Sequence, residues 1–279
     1  MPELPEVETV KRTLNQLIIG KTVKHVEIRW PNIIKRPEDW RRFSKALAGE
    51  TIHRVRRRGK FLLFCFDSKV MVSHLRMEGR YRLAAENYPA DKHTHVIFYF
   101  TDHTALFYRD VRKFGTMHLF EKGEEWALLP LKKLGPEPLS PAFSTDSLSR
   151  ACAGTTRVVK TLLLDQKAVV GLGNIYTDEA LFRACIHPLR RADGLSGVET
   201  ARLYRAIVDT LREAVRLGGS TVRTFKNSQG RMGLFQQKLH VYGREGLPCT
   251  RCGAPIRKIK VGGRGTHFCP ECQKGGTTL

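Results

Sequence analysis

Four cysteines near the C-terminus limit how this chain can fold: Cys249-x-x-Cys252, sixteen residues, then Cys269-x-x-Cys272. A two-residue gap lets both thiolates of a knuckle face one tetrahedral ion, and sixteen residues suffice for a hairpin that brings the second knuckle back to the first. The spacing predicts one structural zinc ion on Cys249, Cys252, Cys269 and Cys272. Two disulfides, disfavoured in a reducing compartment, and an iron–sulfur cluster are the alternatives. A closed four-thiolate site has no open position, so such an ion holds structure and does no chemistry. The hairpin, residues 253–268, carries Arg257, Lys258, Lys260, Arg264 and His267 and no acid. A rigid basic finger of this kind suits contact with phosphate.

The remainder is also basic. Lys and Arg total 48 against 27 Asp and Glu, a formal charge of +21 over 279 residues. Folding does not require that excess, which adds self-repulsion, so it points to a polyanionic partner. Its distribution is uneven: five of the seven residues from Arg54 to Lys60 are basic, whereas the first ten hold three glutamates and no base. A hydrophobic fraction of 41% argues against disorder. No apolar run approaches the roughly 20 residues of a bilayer span, and the acidic, proline-containing N-terminus does not read as a signal peptide. A cytoplasmic location without a membrane partner is therefore expected. Cys65, Cys152 and Cys185 stand alone and read as small buried thiols.

Apolar residues at 4, 7, 10, 14, 17 and 18 predict a helix beginning near Pro5 and stopping near Gly20. The period then shortens to two. Val26, Ile28 and Trp30 open a series of short strands that continues at 50–56, 60–66, 69–75, 79–83, 94–100, 104–109 and 115–120, with turns at Asp67-Ser68 and Asp102-His103. About eight strands in such a span predict a β-sandwich or barrel with the helix packed on it. Three prolines in Leu134–Pro141 mark an extended connection. Helical spacing returns at 145–152, 157–166, 175–185 and 197–217. The expected organisation is α+β in two domains: a helix and β-sandwich over 1–130, a linker over 131–144, a helical domain over 145–237, the zinc finger over 238–273 and a frayed tail over 274–279.

The N-terminus offers chemistry. Removal of Met1 would expose Pro2 as a secondary amine titrating at about 7.7–8.0, against about 10.4 for lysine, so a much larger fraction is neutral at pH 7. Condensation of that amine with an aldehyde carbon yields an iminium, an electron sink suited to β-elimination. Glu3 and Glu6 are placed to move protons and stabilise the cation. The same residues also read as an ordinary helix start, with proline in the first turn and glutamates at the positive end of the dipole.

Six segments in chain order carry a resemblance: Pro2-Glu-Leu-Pro-Glu-Val-Glu8, Arg58-Gly-Lys-Phe61, His74-Leu-Arg-Met-Glu-Gly79, Asp110-Val-Arg-Lys-Phe-Gly115, Gly171-Leu-Gly-Asn-Ile-Tyr176 and the cysteine finger. Together they resemble bacterial formamidopyrimidine-DNA glycosylase, with Leu4 favouring this branch over the endonuclease-eight-like enzymes. The resemblance implies a helix–two-turn–helix domain and a monomer without organic cofactor. It implies excision of 8-oxoguanine and formamidopyrimidines from duplex DNA, followed by β,δ-elimination. Pro2 would be the nucleophile at C1′, Glu3 the acid that assists sugar opening, Glu6 its support, and Lys60 a group near the phosphates and proton transfer. Arg264 would grip phosphates and serve δ-elimination. Because a base inside a duplex is out of reach, it must be flipped out. Met77, Arg112 and Phe114 match the trio that fills the gap, the arginine facing the orphaned cytosine. His74, His93, Asn174, Tyr242 and Lys258 match phosphate contacts, and Glu78 and Thr224 are candidates for the base pocket. The chain departs from the pattern at Gly154-Thr155-Thr156, where relatives often carry basic residues. Two other readings remain: a glycosylase for oxidised pyrimidines with the same terminus, and a non-catalytic zinc-ribbon DNA-binding protein.

Overall fold

The computed structural model describes residues 1–220 and 233–275. It divides into two compact units, Met1–Lys132 with 218–233, and Lys133–Leu217 with 234–279.

In the first unit, α1 (Leu4–Ile18) starts where Glu3 and Glu6 form a capping box and Pro5 occupies the first turn. Leu4, Val7, Val10, Leu14 and Ile18, spaced three or four apart, are all buried. Nine strands follow among the described residues: β1 (Val23–Ile28), β2 (Ile34–Arg36), β3 (Arg54–Arg58), β4 (Phe61–Cys65), β5 (Lys69–His74), β6 (Arg80–Ala85), β7 (Thr94–Phe100), β8 (Thr104–Arg109) and β9 (Thr116–Glu121). They form two sheets, β1-β7-β8-β6 and β2-β9-β5-β4-β3, antiparallel except for the short β2–β9 pair. One core joins both sheets and α1 through Val10, Leu14, Phe64, Met71, Tyr81, Phe98, Leu106 and Met117, the arrangement of a β-sandwich. Three elements depart from the sequence reading. The three-residue β2 (Ile34–Arg36) was not expected, being too short to show an alternation. The strand expected from residue 50 begins at Arg54, and α2 (Trp40–Leu47), capped by Asp39, precedes it. This basic octet buries only Phe43 and Leu47, too short an apolar stripe to register as a period.

In the second unit, α3 (Thr145–Ala153), α4 (Val159–Leu164), α5 (Asn174–Arg183) and α6 (Gly197–Arg216) enclose Leu148, Leu163, Leu172, Tyr176, Leu203, Ile207 and Leu211. Ser144 and Ser196 open α3 and α6 with capping boxes. The proline-rich connection is tied to this unit, Gly135 N donating to Gln166 O at 2.8 Å and Val170 N to Pro136 O at 3.1 Å. Finally β10 (Arg257–Val261) and β11 (Arg264–Phe268) pair antiparallel across Gly262-Gly263. Both glycines have positive φ, 55° and 77°, as a two-residue type I′ turn requires.

Cys65 and Cys152 are buried, but Cys185 is only half-buried. Its residue adopts φ 54° at the end of α5, and its sulfur accepts from Arg251 Nη1 at 3.0 Å. The apolar pattern of its helix concealed a terminus, where side chains face partly outward.

Candidate functional site

The N-terminal corner is built from α1 and the glycine segment that follows α6. Pro2, Glu3 and Glu6 are buried. Glu6 accepts the Glu3 amide at 2.8 Å and the Ser220 amide at 2.7 Å, which leaves its carboxylate little rotational freedom. Gly219 explains the close approach: at φ +82°, a Cβ there would lie 2.6 Å from Glu6 Oε1. A Cβ on Gly233 would lie 2.2 Å from Gly219 O, so the two ends of the segment that contains Thr224 meet here. Thr224 itself lies outside the described residues.

Alignment of α1 with β3 brings Lys60 towards the same corner. Asn15 bridges Val55, donating to its carbonyl at 2.8 Å and accepting its amide at 2.9 Å. About two helical turns nearer the N-terminus, Glu8 meets Arg57 Nε at 3.0 Å. Extending both elements in that direction leads to Pro2, just ahead of α1, and to the Gly59-Lys60 turn between β3 and β4. Gly59 has φ 54°, fitting the first central position of a type II′ turn, and Lys60 is buried. Burial alone would raise the Glu8 carboxyl, but Lys11 and Arg57 outweigh it and hold it below the usual range. Glu8 therefore serves as a structural anion between helix and strand.

His74 ends β5 with its ring edge-on to Phe61, centroids 4.6 Å apart, and its Nδ1 accepting the Arg76 amide at 2.9 Å. A neutral ring that accepts at Nδ1 carries its proton on Nε2. Burial, then the charges of Arg76 and Lys60, draw its pKa down to about 3, so it is neutral at pH 7 and can donate.

Met77, Arg112 and Phe114 sit on two connections that each cross from one sheet to the other. His74 pairs with Thr116 and Arg80 with Arg109, which places the 75–79 and 110–115 connections side by side at one end of the sandwich. Met77 is half-buried, Arg112 exposed, and Phe114 51% exposed. Among the described residues it is the only exposed phenylalanine. The Arg112 guanidinium lies 4.7 Å from the Phe114 ring centroid. Asp110, fully buried, shapes this loop by accepting the amides of Arg112, Phe114 and Gly115 at 3.1, 2.9 and 2.8 Å. Tyr108 then locks the two connections together, since a Cβ on Gly79 would lie 2.3 Å from its hydroxyl and one on Gly115 1.7 Å. His93 borders the same end, its carbonyl accepting the Asp110 amide at 2.9 Å. Glu78 is exposed in the turn beside Met77.

In the second unit, Asn174 opens α5, and its Nδ2 donates to Gly265 O at 2.8 Å. This bond brings the helix N-terminus, a natural anion site, next to Arg264 on the finger. Behind it, Lys160 Nζ donates to Asp178 at 2.6 Å and Thr266 at 2.7 Å, all out of solvent, while Asp178 also accepts the His267 amide at 2.9 Å. Glu179 accepts the successive amides of His240, Val241 and Tyr242, each at 2.9 Å. Tyr242 is thereby fixed with its ring edge-on to His267, centroids 5.0 Å apart. Lys258 is exposed and paired with Glu245 at 3.2 Å, an acid outside the hairpin. Lys160, Asp178 and Glu179 were not singled out in the sequence; the adjacent acids in an apolar helical stretch are the signal that marks them.

The four cysteine sulfurs lie within 4.8 Å of one another, with Cys252–Cys269 at 3.5 Å and Cys249–Cys272 at 3.9 Å. Thiolates about 2.3 Å from a tetrahedral zinc stand about 3.8 Å apart, whereas a disulfide needs about 2.05 Å. The Arg251 and Cys272 amides donate to Cys249 and Cys269 sulfur at 3.4 Å each. Although burial opposes it, the amides of Arg251 and Cys252 help to draw the Cys249 thiol down to about 7, whereas burial and the neighbouring sulfurs push Cys269 and Cys272 up; the full set of thiolates therefore forms with the metal, which displaces the protons as it binds. The cluster holds one structural zinc ion.

A sandwich with a carboxylate-bearing N-terminal helix, together with a helical unit closed by a four-thiolate finger, defines a two-unit zinc-finger protein. Residues 1–117 match the formamidopyrimidine-DNA glycosylase N-terminal domain, 134–226 the formamidopyrimidine-DNA glycosylase H2TH domain, and 246–275 a zinc finger found in FPG and IleRS. The formamidopyrimidine-DNA glycosylase of Bacillus licheniformis is 61% identical over 274 residues, covering 98% of this chain and 100% of that protein. That of Bacillus subtilis is 61% identical over 273 residues, covering 98% and 99%. Lactococcus lactis Fpg in complex with abasic-site DNA superposes with a TM-score of 0.92 at 43% identity, over 98% of this chain and 100% of that one. A mutant of that protein with Fapy-dG-containing DNA gives 0.93 at 42% over the same shares. The chain belongs to the formamidopyrimidine-DNA glycosylase family.

Proposed function

We propose that the chain is a bifunctional DNA glycosylase and abasic-site lyase that removes 8-oxoguanine and formamidopyrimidines from duplex DNA in the bacterial cytoplasm. The observation that carries this reading is the corner at the N-terminus, where Glu3 and Glu6 are buried beside Pro2 and Glu6 is held by two backbone amides. A carboxyl group fixed by backbone amides next to a secondary amine is placed to stabilise a cation as it forms on that nitrogen. The Lactococcus lactis complexes with abasic-site and Fapy-dG DNA support the substrate class.

The chemistry requires Pro2 as a free amine, hence loss of Met1. Its lone pair attacks C1′, the glycosidic bond breaks, and the base leaves with a proton. Glu3 protonates the ring oxygen, C1′–O4′ opens, and nitrogen and C1′ share an iminium. Loss of a C2′ proton then expels the 3′ phosphate; loss of the C4′ proton from the conjugated iminium expels the 5′ phosphate, assisted by Arg264. Met77 and Phe114 fill the stack vacated by the flipped base and Arg112 donates to the orphaned cytosine. Lys60, His74, His93, Asn174, Tyr242, Lys258 and Arg264 hold phosphates, and Glu78 and Thr224 border the base. The zinc supplies no chemistry and holds the finger.

Borohydride trapping on duplex DNA with 8-oxoguanine opposite cytosine tests the reading. A covalent adduct that is lost in Pro2→Gly, or when Met1 is retained, is expected. No adduct, or one indifferent to both changes, overturns it. Stronger trapping on dihydrouracil DNA would instead assign the enzyme to oxidised pyrimidines.

A further inference from the structure

Beside Phe114 lies a recess of about 440 Å³ lined by Trp30, Asn32, Lys35, Arg76, Lys113 and Gly115 as well as Phe114 itself. Three of these side chains are cationic, none is anionic, and Lys35, Arg76 and Lys113 are all exposed. Lys113 Nζ stands 3.8 Å from the Trp30 ring centroid, a cation–π contact that holds a flexible ammonium in one place. Arg76 and Lys113 each have left-handed backbone, φ 52° and 57°, a region that residues other than glycine, asparagine and aspartate rarely occupy. Both strained cations thus lie on the two connections that Tyr108 clamps together, and both face the same recess. Strain of this sort concentrates at ligand-binding positions.

We propose that this recess is a subsite for one phosphodiester of the strand opposite the lesion. Lys35, Arg76 and Lys113 bind the phosphate, and Trp30 is a positioning residue that presents the Lys113 ammonium. The inference rests on the glycosylase reading in one respect: Arg112, two residues before Phe114, is the group that faces the orphaned base. Lys113, the residue between Arg112 and Phe114, lines the recess, which therefore lies against the backbone next to that base. Asn32, on the turn before β2, can donate to the same phosphate.

Affinities of the wild type, Lys35→Ala, Lys113→Ala, Trp30→Ala and Trp30→Phe test the proposal. The probes are 8-oxoguanine duplexes in which phosphates of the opposite strand are replaced one at a time by neutral methylphosphonate. At one phosphate within two positions of the orphaned base, the neutral linkage should weaken wild-type binding about three- to tenfold. Lys113→Ala should bind the natural and neutral duplexes alike. Trp30→Ala should behave as Lys113→Ala does, and Trp30→Phe, which keeps an aromatic face, should fall between it and the wild type. Lys35→Ala should flatten the dependence of log affinity on log salt by about 0.9. Losses that simply multiply at every opposite-strand phosphate, or coupling found only when lesion-strand phosphates are neutralised, would overturn it. Coupling in a wild type that traps no adduct with borohydride would support the subsite while refuting the lyase chemistry.

Discussion

Glu6 spends its carboxylate on the backbone, accepting the Glu3 and Ser220 amides while Gly219 packs against it. Gly219→Ala should therefore displace Glu6 without unfolding the protein: a left-handed alanine costs about 1–2 kcal/mol, and its Cβ would meet Glu6 Oε1 at 2.6 Å. Single-turnover base release should fall about tenfold or more, with the melting temperature lowered by only a few degrees; unchanged release would remove Glu6 from the chemistry. His74 supplies a pH dependence. Its pKa is drawn from 6.5 down to about 3, so the unfolded chain binds the proton more readily. The stability this gives is complete above about pH 6.5 and is lost as pH falls towards 3. Between pH 7 and 5 the wild type should lose about 2 kcal/mol from this group. His74→Gln should have a correspondingly shallower profile in urea melts, and parallel profiles would contradict the assignment. Glu3 and Glu6 were legible as candidate residues because the acidic terminus contrasts with a basic chain. Gly219 was not, because its partner lies 213 positions away in sequence.

At the scale of elements, two crossing connections present the trio, and Tyr108 joins them. The Tyr108 hydroxyl is buried and has no hydrogen-bond partner among the described residues, an arrangement that costs about 1–3 kcal/mol. Tyr108→Phe should thus raise the melting temperature or leave it unchanged, whereas Tyr108→Ala should cost about 3–5 kcal/mol. A Phe variant as damaging as the Ala variant in thermal melts would mean the hydroxyl has a partner after all. Most strands and all four helices of the second unit were legible because their apolar residues recur at clear periods of two or 3.6. The short α2 was not, since two buried side chains in eight residues set no period. The loops were legible as motifs, but the role of Asp110 was not: the buried carboxylate that organises Arg112, Phe114 and Gly115 reads in sequence as one more turn aspartate.

Across the whole molecule, charge and zinc act together. The basic finger is braced by Lys160–Asp178–Thr266 and by Asn174–Gly265, so its hairpin depends on both the metal and α5. Chelation of zinc should abolish the finger and weaken DNA binding, with stronger loss at higher salt. Met1–Lys132 has its own core and should keep its β-sheet circular dichroism; unchanged binding without metal would refute a role for the finger. No described helix is long and apolar enough to cross a membrane; the +21 charge suits a polyanionic partner.

The sequence by itself determined what repeats or lies close in the chain: the zinc ligands, the helical and strand periods, the acidic start, and the motifs that carry the family resemblance. Tertiary structure alone decided what meets across long separations. Only folding brings Ser220 to Glu6, sets Asn174 against Gly265, and lays Trp30, Arg76 and Lys113 around one recess. The reason is physical: local spacing records which face of an element is apolar, whereas a buried carboxylate or clustered cation is defined by partners that chain order does not place beside it.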